Sequence, residues 1–75
     1  MAEYYFSARV DSETTLCVAP ISDKRVELSG QEIEDRSGYF LYKVKGGSEV
    51  HEVEIIARVV SEEAAIHLSE LLSMQ

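Results

Sequence analysis

From Val53 to Val59 apolar residues recur at every second position, within a stretch Val50 to Val60 that reads as one long strand, and at Ser61 the period changes. That spacing places the side chains of Val53, Ile55, Ala57 and Val59 on one face of the strand. Beyond Ser61, Ala64, Leu68, Leu71 and Leu72 fall at helical spacing on one side. Ser61 is a good N-cap, and Glu62 and Glu63 occupy the first turn, where the helix dipole favours negative charge. A switch of period across one serine predicts a strand that feeds directly into a C-terminal helix running to the end of the chain.

The rest of the chain supplies more strands. From Glu3 to Val10, Tyr4, Phe6, Ala8 and Val10 alternate with Glu3, Tyr5, Ser7 and Arg9. Asp11-Ser12-Glu13 is turn chemistry. Thr14 to Ile21 is rich in β-branched residues, with Pro20 marking its end or an edge. Tyr39 to Lys45 places Phe40, Tyr42 and Val44 on one face and Tyr39, Leu41, Lys43 and Lys45 on the other. Gly46-Gly47-Ser48 reads as a hairpin tip. Between the second and third strands, Ser29-Gly30-Gln31-Glu32 fits the S-x-x-E capping box, with Leu28 and Ile33 at the spacing of a hydrophobic staple. These signals predict a short helix from Gly30 to Arg36, ended at Gly38. The expected element order is β-β-(short α)-β-β-α. The expected fold is one α+β domain over residues 1–75, with a mainly antiparallel four-stranded sheet and the C-terminal helix on one face.

With 75 residues the chain has a thin core to work with. Four strands make a sheet about 14 Å wide, and one helix about 10 Å across covers most of one face only. By alternation the other face carries Tyr5, Tyr39, Leu41, Ile56 and Val60, with Cys17 beside them. A sheet face that met only water would alternate more cleanly. The expectation is a homodimer through that face, with these five residues as its interface. The competing reading is that the segment around Leu28 and Ile33 folds over it.

Seven basic against 14 acidic residues give a net charge of −7, which argues against direct binding to nucleic acid or to an anionic membrane. A basic partner protein is the alternative that this charge suggests, with the chain as an acidic inhibitor or nucleic-acid mimic. The one cysteine allows no disulfide within the chain, and no secretory leader, membrane span or lipidation motif is read. The expected location is the cytoplasm.

Catalytic constellations are sparse. Glu63, His67 and Glu70 form one stripe on the last helix, but a metal site needs more ligands than that helix supplies. His51 and Glu52 are neighbours in a strand and point to opposite faces, while Glu49 lies in or beside the turn. His51 therefore reads as a histidine at the end of the core face. Cys17 has no Lys, Arg or His near it in sequence to lower its pKa and reads as a small buried hydrophobe. Leu28–Glu32 is superficially similar to the signature of ATP-binding cassettes. No G-x-x-x-x-G-K-[ST] loop accompanies it, so the likeness is chance. No catalytic residue, cofactor or metal is predicted, and the chain is not expected to be an enzyme. A ligand site completed at a dimer interface by Tyr5, Tyr39 and Tyr42 is the lesser alternative.

Overall fold

The structure is a computed structural model, and it describes residues 4–46 and 49–74. Its elements are β1 (Phe6–Arg9), β2 (Thr14–Ala19), α1 (Asp23–Ser29), β3 (Tyr39–Lys45), β4 (Glu52–Val59) and α2 (Glu62–Leu71). All neighbouring strands are antiparallel, in the order β1-β2-β3-β4. This is the expected α+β fold. Glu3, Gly47, Ser48 and Gln75 lie outside the described residues. Among the described residues no helix is long and apolar enough to cross a membrane.

The short helix keeps its place between β2 and β3 but begins seven residues earlier than its sequence signals suggest, at Asp23 instead of Gly30. Ser22, not Ser29, is the N-cap, and its side chain accepts from the amide of Arg25. Ile21 and Val26 then stand at the staple positions, and both are buried. Ser29 is the last helical residue, and Gly30 closes the helix with φ 69°. Gly30 donates its amide to the Glu27 carbonyl, a cap for which glycine has no Cβ penalty. The predicted capping box is thus a helix stop. Residues 31–37 carry no helix, and Gly38 takes positive φ within a loop.

A β-bulge in β4 decides which residues share a face. Leu41 pairs with Ala57 and Tyr42 with Ile55, leaving Ile56 as the extra residue. One inserted residue inverts the side-chain alternation beyond it. Val53 and Ile55 therefore join the core with Phe40, Tyr42 and Val44. Val59 joins the opposite core with Val18 and Tyr39, and Ala57 pairs on the side of Leu41. The four apolar residues expected on one face of β4 are split between two.

Both faces are consequently covered. On one side Cys17, Ala19, Phe40, Tyr42, Val44 and Val53 pack with Ile21 and Val26, with Leu28, Ile33, Val50 and Ile55 around them. On the other side Val18, Tyr39 and Val59 pack against Ala65 of α2, bordered by Phe6, Leu41, Leu68 and Met74. The face of Tyr39 and Leu41, expected to need another chain, lies beneath α2, and the face expected under the C-terminal helix lies beneath α1 and the loop after it. Helix α2 presents Ala65 and Ser69 inward, while Leu71 is 68% exposed and Leu72 is also exposed. The expected apolar stripe through Leu71 and Leu72 thus turns to water at its C-terminal end.

Arg58 fastens the loop that covers the first side. It donates to the Asp35 carbonyl at 2.9 Å, to the Asp35 carboxylate at 3.3 Å and to the Ser37 carbonyl at 3.1 Å. Its guanidinium also lies 5.4 Å from the centre of the Phe40 ring. Hydrogen bonds from Ser37 hold the Asp35 carboxyl below its ordinary pKa, with Arg58 adding to the effect.

Candidate functional site

Two regions hold the chemistry that the core does not consume. The first surrounds Arg25 in the first turn of α1. Its Nη1 donates to the Tyr42 hydroxyl at 2.9 Å and to the Tyr5 hydroxyl at 3.4 Å. The Tyr5 hydroxyl in turn lies 3.4 Å from Cys17 Sγ. Register explains the meeting: Ser7 pairs with Cys17 and Cys17 with Tyr42, so these positions stand in one row below α1.

Burial pushes the phenols of Tyr42 and Tyr5 above their ordinary range, against the opposing pull of Arg25. Burial also works against the charge on Arg25, but the two tyrosine oxygens outweigh it and raise its pKa. Arg25 thus stays cationic beside neutral phenols. The arrangement can orient a guanidinium, and it provides no general base. A groove of about 290 Å³ opens beside it, lined by Ser22, Lys24, Arg25, Leu28, Glu49 and Val50.

The second region is β1 and its approach. Tyr4 stacks on Phe6 with ring centres 5.6 Å apart, and its amide donates to the Tyr39 hydroxyl at 3.0 Å. Tyr5 is 54% exposed and Val10 59%. No acidic residue occurs from Tyr4 to Val10, while Arg9 supplies one positive charge.

The five residues expected to form one interface do not share a surface. Tyr39 is buried and Leu41 half-buried beneath α2. Tyr5 lies on the side of α1. Ile56 is exposed in the bulge, and Val60 follows β4 at 89% exposure. Nor do Tyr5, Tyr39 and Tyr42 line one pocket, because Tyr39 and Tyr42 belong to opposite cores.

His51 is exposed ahead of β4, with its amide donating to the Lys45 carbonyl, and is not a core-face histidine. Glu52 lies 4.0 Å from Lys45 Nζ, and Glu49 lines the groove. Cys17 is fully buried, as expected, and gains the Tyr5 contact that its sequence surroundings do not announce. Glu63, His67 and Glu70 are exposed on α2. Among the described residues no three acidic, histidine or cysteine side chains stand close enough to hold a metal ion.

Sequence reasoning missed Arg25 and Arg58. Each reads as an isolated cation in an acidic chain, and only the fold brings their partners near. Comparison with models of protein families, with curated proteins and with solved structures finds no match.

Proposed function

We propose that the chain is a small non-catalytic interaction domain that works as a homodimer. The supporting observation is the placement of exposed large apolar side chains after both sheet faces have been covered. Tyr4, Tyr5 and Val10 gather around the outermost strand β1. At the far end of α2, Leu71 and Leu72 follow Leu68, which borders the same core as Phe6. Apolar surface gathered in this way favours protein contact over solvent. The lone buried cysteine fits a reducing cytoplasm.

The acidic surface gives weaker support to docking on a basic partner. Asp23, Asp35, Glu52 and Glu54 each lie within 4.0 Å of a basic side chain of this chain. Among the described residues these four carboxylates are answered locally, four of the 14 acidic residues in the sequence.

Sedimentation equilibrium over a protein range of about 1 µM to about 1 mM tests the dimer, a span that brackets weak association. The expected result is a reversible shift from 8.4 kDa to twice that mass. A mass that stays monomeric throughout overturns the proposal.

A further inference from the structure

We infer that the dimer forms by antiparallel pairing of β1 with β1 of a second copy, extending two four-stranded sheets into one of eight strands. The inference rests on the homodimer reading above and assigns its surface.

The two edges of the sheet are treated differently. The β4 edge carries a bulge at Ile56, and the amide of Ile55 donates to Gln31 Oε1 at 2.9 Å. Arg58 holds the neighbouring loop there through Asp35 and Ser37. Bulges and covering loops are standard ways to keep an edge from pairing. The β1 edge has neither device among the described residues.

Its hydrogen-bonding parity can be worked out. Val10 donates its amide to the Thr14 carbonyl at 2.8 Å, so amides at even positions face β2. Alternation then points the amides of Ser7 and Arg9 away from the sheet. A two-fold axis at Ser7 brings these outward groups of two copies opposite one another.

The same axis places Tyr5 opposite Arg9 of the second copy, on the side of α1. Phe6 comes opposite Ala8, and Tyr4 opposite Val10, on the side of α2. Aromatic–cation and aromatic–apolar pairs across strands are favourable. Charge also selects this surface. Two copies of a chain with net charge −7 repel at most approaches, but residues 4–10 carry one cation and no anion.

Sedimentation of two variants, alongside wild type, tests the assignment. Ser7→Pro removes an outward amide and leaves the β1–β2 bonds in place. Arg9→Glu breaks the Tyr5 pairing and sets acid at the edge. Each is expected to weaken dimerisation at least tenfold while the far-UV circular dichroism and melting curve stay unchanged. In wild-type NMR spectra the Ser7 and Arg9 amides are expected to shift with concentration, and Ile55 is not.

A wild-type dimer that both folded variants preserve overturns the edge assignment and leaves self-association standing. A wild-type chain that never dimerises overturns both. Should Ser7→Pro fail to fold, Arg9→Glu and the amide shifts decide.

Discussion

One side of the sheet is covered by a seven-residue helix and an irregular loop, the other by a ten-residue helix, yet the shorter helix tops the larger core. Among the described residues, eight are buried in the cluster beneath α1 and four in the cluster with α2. The reason lies in the side chains offered. Helix α1 arrives behind Ile21 and brings Val26 and Leu28 down onto Phe40 and Tyr42. Helix α2 brings Ala65 and Ser69, which allow close approach and bury little apolar area. Helix length therefore does not predict how much a layer stabilises. Polar fastening follows the same division. Arg25 and Arg58 tie elements together on the α1 side, whereas among the described residues the α2 side has the Tyr39 hydroxyl bond and apolar contact.

The largest effect is expected from exchanging two neighbours, Arg58→Val with Val59→Arg, because the difference between the faces depends on the bulge that precedes them. The bulge sends Arg58 toward α1 and Val59 toward α2, so the exchange points the guanidinium at the core under α2. Burying that guanidinium among Val18 and Tyr39 would leave a charge without partners. The expected outcome is loss of any cooperative urea transition, followed by circular dichroism. A folded protein of unchanged stability would mean that the bulge does not set the faces.

Truncation should then measure the inequality directly. Phe40→Ala is expected to cost about 3–5 kcal/mol, the range for a large aromatic removed from a core. Leu68→Ala, at a half-buried site, should cost about 2 kcal/mol or less. Urea denaturation of both variants checks the ordering. Equal losses would erase the contrast between the layers.

Alkali should loosen the α1 side. The phenols of Tyr42 and Tyr5 are held above the ordinary tyrosine value of 10.0 in the folded chain. A raised folded pKa favours the protonated form of the native state. Its contribution is complete below pH 10 and is lost as pH rises through the folded values, because the unfolded chain ionises first. Urea midpoints are therefore expected to fall above pH 10, with tyrosinate absorbance rising in step. Tyr42→Phe should flatten that fall, and an unchanged profile would remove Tyr42 from the account.

The fold was legible where the signal was local and strictly periodic. Tyr39 to Lys45 was readable as a strand because aromatic residues crowd its first half and Lys43 and Lys45 alternate with Tyr42 and Val44 in its second. The Ser61 cap was readable because a cap needs only its own turn. The first helix was not, because Leu28-Ser29-Gly30 serves equally as the start of one helix or the end of another. Gly30 at positive φ resolves that choice only once Ile21 and Val26 find the core. The bulge was hidden for a related reason. Ile55 and Ile56 are both apolar, so the sequence does not say which of them the ladder leaves out. Every face assignment in β4 beyond that point inherited the error. The interface expected at Tyr39 and Leu41 was a consequence, since it placed the long helix on the wrong side.

The smallest expected effect concerns the end of α2, where the thinner layer is fastened. Leu72 donates to the Leu68 carbonyl, Ser73 to that of Glu70 and Met74 to that of Ser69. The last two bonds form a Schellman closure, which folds Met74 back against the α2-side core. The closure requires positive φ at its turning residue, and Ser73 adopts φ 54°. A side chain there carries the left-handed penalty that glycine avoids. Ser73→Gly is expected to stabilise the chain by about 0.5–1 kcal/mol, the relief of that penalty less the added freedom of the unfolded chain. Thermal denaturation should show a rise of a few degrees, with Met74 still ordered in NMR spectra. A fall in stability would mean that the backbone at Ser73 is set by something other than the helix end. The α2 layer would then be held by contact alone.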